Sequence, residues 1–216
     1  MFNFFRKSKN SQASESHSNA SRDMLLTLPK EVTEFLKIRN EVNCLDLGIN
    51  ILSEEDCLLA SSHLQSIRLA RHLGLYVLDD ANDSNPFCYI TEGIAAGMVI
   101  HFNHDPEPEI AFLSLNDFAV FLRECHQQKR TLWESETTPP YHPDQKLLAA
   151  VISELVRFAD DHSESLPCLY ISLLRGPHPE LVVELSLNPG MYVREALQNA
   201  INAEKLSSQG SRSIIR

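Results

Sequence analysis

Apolar residues recur along the chain in two different periods, and the change falls near residue 74. Before it the spacing is helical. Val32, Phe35 and Leu36 follow Pro29, a residue suited to the first turn of a helix, and predict a helix from about Leu28. Ser53 and Asp56 have capping-box spacing with Asp in place of the usual Glu. Cys57, Ala60, Leu64 and Ile67 then line one face, so a second helix is expected to run to a stop at Gly74. Beyond Gly74 the period falls to two. Residues 75–78, 87–91, 97–102 and 109–113 read as short strands, separated by the turn chemistry of Asn82-Asp83-Ser84-Asn85-Pro86, of Gly93 and of Asp105-Pro106-Glu107-Pro108. That spacing predicts an antiparallel meander. Ser114 with Asp117 caps a third helix, whose Leu115, Phe118, Phe121, Leu122 and Cys125 form a stripe for packing on the sheet.

Thr137-Thr138-Pro139-Pro140 cannot continue a helix, so residues 131–142, which include the sole tryptophan Trp133, read as a linker. After it, Leu148, Val151, Leu155 and Phe158 predict a helix. Residues 168–174 and 181–187 predict two strands across Arg175-Gly176-Pro177-His178-Pro179, and Val193, Leu197 and Ala200 a closing helix. The expected organisation is a tail at 1–22, an α+β domain with one antiparallel sheet and packed helices at 23–130, the linker, a smaller α+β unit at 143–205 that packs on the first, and a tail at 206–216.

Composition narrows the function classes. A chain of 216 residues, 43% hydrophobic and 22% charged, has an ordinary globular balance. No apolar run approaches the roughly 20 residues of a membrane span. The opening MFNFFRK has no small-residue cleavage site, so no secretory signal is expected and cytoplasm is the expected address. Its phenylalanines, beside Arg6, Lys7 and Lys9, suit weak contact with an anionic membrane surface at most. The five cysteines are scattered, with no C-x-x-C pair, and read as core residues in a reducing compartment. Net charge is −10, concentrated between Asp23 and Arg130, where eight basic residues face seventeen acidic ones. Without a Lys/Arg stripe, direct nucleic-acid binding is disfavoured and a basic protein partner is allowed.

Several segments resemble one known family. LPKE at 28–31 running to Phe35-Leu36 is similar to an opening Leu-Pro and Phe-Leu helix. LYVLDD at 75–80 and FCYIT at 87–91 are similar to a first strand and a tyrosine-rich second strand. VIHFNHD at 99–105 is similar to a third strand ending in an aromatic followed by His and an acid, and residues 112–122 to a helix entry with a Phe-x-x-Phe-Leu ending. In that order, over residues 28–122, they resemble the SUKH superfamily of fungal cell-wall-assembly regulators and bacterial toxin-immunity proteins. Two positions differ from its pattern: the loop after the first helix has no Asn-Gly-Gly turn, and Asn103 replaces a common tryptophan.

The resemblance implies a non-enzymatic binding protein, and for many bacterial members an immunity protein that occludes a toxin. A nuclease toxin must present a basic cleft to its substrate, which an acidic face can fill. Candidate contacts are acids and aromatics near the strand ends and turns: Asp79, Asp80, Asp83, Tyr89, Glu92, Asp105, Glu107 and Glu109. An intracellular regulatory scaffold, needing no toxin, is the alternative within the family. A different class would be a small metal-dependent hydrolase using His101, His104 and Asp105, with Asp79 or Asp80 as base. H-x-x-H-D is not a zincin spacing, however, and Asp79 and Asp80, adjacent on a strand, point to opposite faces. With no nucleophile elbow, P-loop or dinucleotide fingerprint, neither catalysis nor a cofactor is expected.

Overall fold

The computed structural model describes residues 27–79, 85–103, 108–135, 137, 139–158, 164–203 and 206. The tail expected at 1–22 lies outside them, as does that at 206–216 apart from Leu206, which is buried rather than free. Helices α1 (Lys30–Leu36) and α2 (Arg39–Val42) open the chain, and α1 buries Val32, Phe35 and Leu36, the residues its spacing singled out.

The helix expected to run to Gly74 is broken in two, α3 (Glu54–Leu64) and α4 (Arg68–Leu73). Its start is as expected: Ser53 Oγ accepts the Asp56 N–H at 3.1 Å and donates to the Asp56 carboxylate at 2.6 Å. The break follows from a tightened turn, in which the N–H groups of Ser66 and Ile67 donate three residues back and Ile67 is extended. This redirects α4, so that Ala70 and Leu73 enter the core.

Four strands form an antiparallel meander in the order β1 (Leu75–Val77), β2 (Phe87–Ile90), β3 (Val99–His101) and β4 (Glu109–Phe112). An exposed β1 edge would leave backbone groups unpaired, and this edge is covered. Ser61, fully buried on α3, accepts the Val77 N–H at 2.9 Å and donates to Cys57 O at 2.6 Å. Gln65 donates to Leu75 O, and the Leu52 N–H donates to Leu78 O. Helix α3 thus runs antiparallel along β1.

Directly opposed residues share a sheet face, so Phe87, His101, Tyr89, Tyr76 and Val99 lie together. Strict alternation would put Phe112 with Ile110 on the other side. A register shift at Val99/Ile100 pairs Phe112 with Val99 instead, and moves its ring to the aromatic face. There Phe112 and Phe87 meet Phe118 at ring-centroid distances of 4.7 and 4.9 Å, and Phe118 stacks on Phe35 at 5.5 Å. Phe118 belongs to α5 (Leu115–Gln128), capped by Ser114 as its spacing predicts.

After the sheet the chain departs from expectation. Residues 168–174 and 181–187 are not strands. They fall in or beside α7 (Ser165–Ile171) and α8 (Pro179–Ser186), between α6 (Gln145–Phe158) and α9 (Met191–Asn202). The unit expected to be α+β is therefore helical, while the chain as a whole is α+β. Residues 166–171 are buried without a break, and a continuous apolar run has no period by which strand and helix differ. Pro179 sits in the first turn of α8, where its missing N–H costs nothing. Helix α6 packs on α7 and α8, and both of these pack on α9.

Residues 131–142, expected as a linker, are anchored at both ends. A 3-10 turn at Leu132–Glu134 follows the Leu132 N–H, which donates to Leu47 O, and the His142 N–H donates to Leu173 O. The buried apolar residues form one cluster through both parts of the chain. Tyr170 of α7 reaches the β2–β3 connection, where its phenol oxygen takes a hydrogen bond from the Ile94 backbone. Burial nonetheless pushes the Tyr170 pKa up, and a Cβ on Gly93 would lie 2.8 Å from the hydroxyl.

A candidate interaction site at one end of the sheet

In a four-stranded meander the first and third connections leave the same end. Here those connections join Asp79 to Phe87 and His101 to Glu109. Asp80, Asp83, His104, Asp105 and Glu107 belong to them in sequence and lie outside the described residues. Glu109, exposed, begins β4 directly opposite His101. Between Arg71 and Arg123 the sequence has eight acidic residues and not one Lys or Arg, so no basic side chain of the sheet or its connections offsets the acids.

Three of the described candidates have other places. Asp79 is 3% exposed; its Oδ1 accepts the Phe87 N–H at 2.6 Å, closing the β1–β2 hairpin, and its backbone bridges to Ile51. This carboxylate holds the hairpin rather than a surface. Its charge is also the second cause, after burial, that raises the Cys88 thiol well above its ordinary pKa. Tyr89 is half-buried on the aromatic face, and its pKa is raised by burial first and by Glu31 of α1 second. Glu92 is exposed at the opposite end of the sheet, its N–H donating to Leu73 O. Of the described candidates, only Glu109 is an exposed acid at the shared end.

His101 stacks on Phe87 at 4.6 Å and meets Trp133 at 5.5 Å. Its ring is part of an aromatic ladder whose outer member, Trp133, is 53% exposed. Gly48 admits that indole: its φ is +73°, and a Cβ there would lie 3.3 Å from the indole nitrogen. Trp133 was readable only as a linker residue. The turn does carry a sequence signal, the Thr-x-x-Glu spacing of Thr131-Leu132-Trp133-Glu134, which marks a capped turn. Glu134 Oε2 accepts the Thr131 N–H at 2.9 Å and the Thr131 hydroxyl at 3.0 Å, and these bonds, the backbone one first, lower the Glu134 pKa.

Among the described residues no three His, Cys, Asp or Glu side chains gather as a metal site, and no helix is long and apolar enough to cross a membrane. No protein-family model, curated protein or solved structure matches the chain.

Proposed function

We propose that the chain is a non-enzymatic protein-binding module of the SUKH kind, an immunity protein that occludes a basic toxin with the acidic end of its sheet. The meander carries the reading. Glu109 opens β4 at one end of the meander, and the two connections that leave that end contain Asp80, Asp83, Asp105 and Glu107 in sequence, on a stretch that lacks Lys and Arg. Such a concentration of one sign attracts a basic surface from beyond contact distance and accelerates encounter, an effect that salt screens over roughly 10 Å at 0.1 M. The aromatic core behind that end, tied by the Asp79–Phe87 bond, supplies a rigid base.

The test is binding of the purified chain to the product of the gene beside its own, at low and at high salt, for the natural sequence and for Asp80→Asn, Asp105→Asn and Glu109→Gln. Each substitution should slow association several-fold at low salt, and the difference should vanish at high salt. Binding that ignores both salt and substitutions would overturn the acidic-end mechanism.

A further inference from the structure

Phe87, His101 and Glu109 are direct cross-strand partners, so they form one row over β2, β3 and β4 on the aromatic face. Trp133 lies across that row, with ring-centroid distances of 6.1 Å to Phe87 and 5.5 Å to His101. Glu109, exposed, is the next member of the row beyond His101. A second exposed acid, Asp46, precedes by two residues the Gly48 that backs the indole nitrogen. Among the described residues neither acid takes part in an ion pair. Arg130, the nearest Lys or Arg to Trp133 in sequence, acts on Glu134, where its charge is a lesser cause of the lowered pKa after the Thr131 bonds.

The indole is fixed in place by its turn. Leu132 beside it is buried and ties back to Leu47 O, and the Thr131–Glu134 capping box closes the turn. Ser135 Oγ donates to Thr131 O at 3.1 Å and accepts the Cys125 thiol at 3.3 Å. More than half of Trp133 is nonetheless left in water. Covering His101 would take any apolar side chain; an ordered, wet indole adds an electron-rich face, the best of the aromatic faces for a cation.

We propose that Trp133 is the anchor for a basic protein partner, and that an arginine side chain of that partner stacks on the exposed side of the indole with Glu109 and Asp46 as the acids beside it. Charge complementarity selects a cation, and shape selects arginine. A guanidinium is planar and weakly hydrated, so it lies flat on a ring and still presents N–H donors to a carboxylate, whereas an ammonium is a compact, strongly hydrated point charge. A tryptophan already held in one conformation loses little freedom on binding, which suits it to carry a large share of the binding energy. The inference rests on the reading of the chain as a binder of basic proteins, and adds the residue that anchors and the side chain it takes.

The probes are capped hexa-arginine and hexa-lysine peptides, equal in charge, added to the full chain at low salt. Emission from Trp133, the sole tryptophan, should change saturably with hexa-arginine, and dye-labelled hexa-lysine should bind several-fold more weakly by anisotropy. Trp133→Leu, which keeps an apolar cover on His101, should erase that preference, and Trp133→Tyr, which restores a ring, should keep part of it. Where a variant fails to fold, the emission of the natural chain and its preference between the peptides still decide. Equal binding of the two peptides with unmoved emission would overturn the anchor and leave the acidic end standing. A salt-resistant emission change that also ignores Asp80→Asn and Asp105→Asn would sustain the anchor and remove the acidic-end mechanism, so the two readings fail separately. No binding of either peptide would overturn both. Emission that follows the protein's own concentration would assign the indole to a second copy of the chain and overturn the proposal.

Discussion

Asp79 shows how one side chain can carry charge and still serve structure. Its carboxylate is buried and takes the Phe87 N–H at 2.6 Å, so the charge is held by a backbone dipole at the mouth of the β1–β2 hairpin. Asp79→Ala leaves that N–H without its acceptor and should cost about 1–3 kcal/mol, read as a lower urea midpoint at unchanged slope. Asp79→Asn retains an acceptor and should cost less. Had this been a partner contact, both variants would weaken binding at undiminished stability. Ser61 is a comparable case, since a buried hydroxyl in mid-helix satisfies a strand N–H that no other strand reaches.

Elements with a clear period were legible in the sequence. The meander, α1, α5, α6 and α9 all follow from spacing, caps or turns: the helices have one wet and one dry side, while the strands, largely buried on both faces, are delimited by the turn residues between them. Legibility failed where nearly complete burial left helix and strand with no distinguishing period. In α7 residues 166–171 are all inside, so period vanishes and β-branched and aromatic content misleads toward strand. In α8 the buried set is Leu181, Val182 and Leu185, a helical triplet that Val183 obscured. Val183→Asp, on the exposed side, should therefore change stability by no more than about 0.5 kcal/mol. Val182→Asp should cost about 3 kcal/mol or more, as an unpaired buried charge does. Equal effects in denaturant titration would contradict a helix at this place. The candidate site was legible as composition, but not the diversion of Asp79 and Tyr89 into packing, which depends on contacts distant in sequence. The turn at 131–134 adds a pH test. Glu134 has a lowered folded-state pKa, so its contribution is present above the ordinary carboxylate range of about 4.3 and disappears as pH falls below it. Emission from Trp133, the one tryptophan, should shift over that range, and Glu134→Gln, which keeps the reach-back bond without a titrating group, should remove this acid-side step.

Across the whole molecule, the sheet part and the helical part are joined by a segment that is pinned rather than spanned. The Arg175 guanidinium donates to Pro139 O and Pro140 O from the segment and to Ser172 O and Leu174 O from the end of α7, and burial lowers its pKa. Lysine has no such fork. Arg175→Lys and Arg175→Ala should both quicken proteolysis between Trp133 and Pro143, with a cost of about 1–3 kcal/mol for the alanine. Cleavage at the original rate would show that the four carbonyls are held by other means.

The meander also sets an order in time. Every strand pairs with the next one in sequence, so each closure needs only a short loop, whereas Tyr76 reaches Thr27 across 49 residues and Leu132 must return to Leu47. Local pairings form early in folding because their entropic cost is small, which makes the sheet the nucleus and the Trp133 turn a late latch. Ile100→Val should accordingly slow folding, while Leu132→Ala should mainly speed unfolding, a contrast that stopped-flow chevrons resolve. On a ribosome, β4 leaves the exit tunnel before Trp133 does, so the aromatic face can form for a time with His101 uncovered and is closed only when the indole arrives.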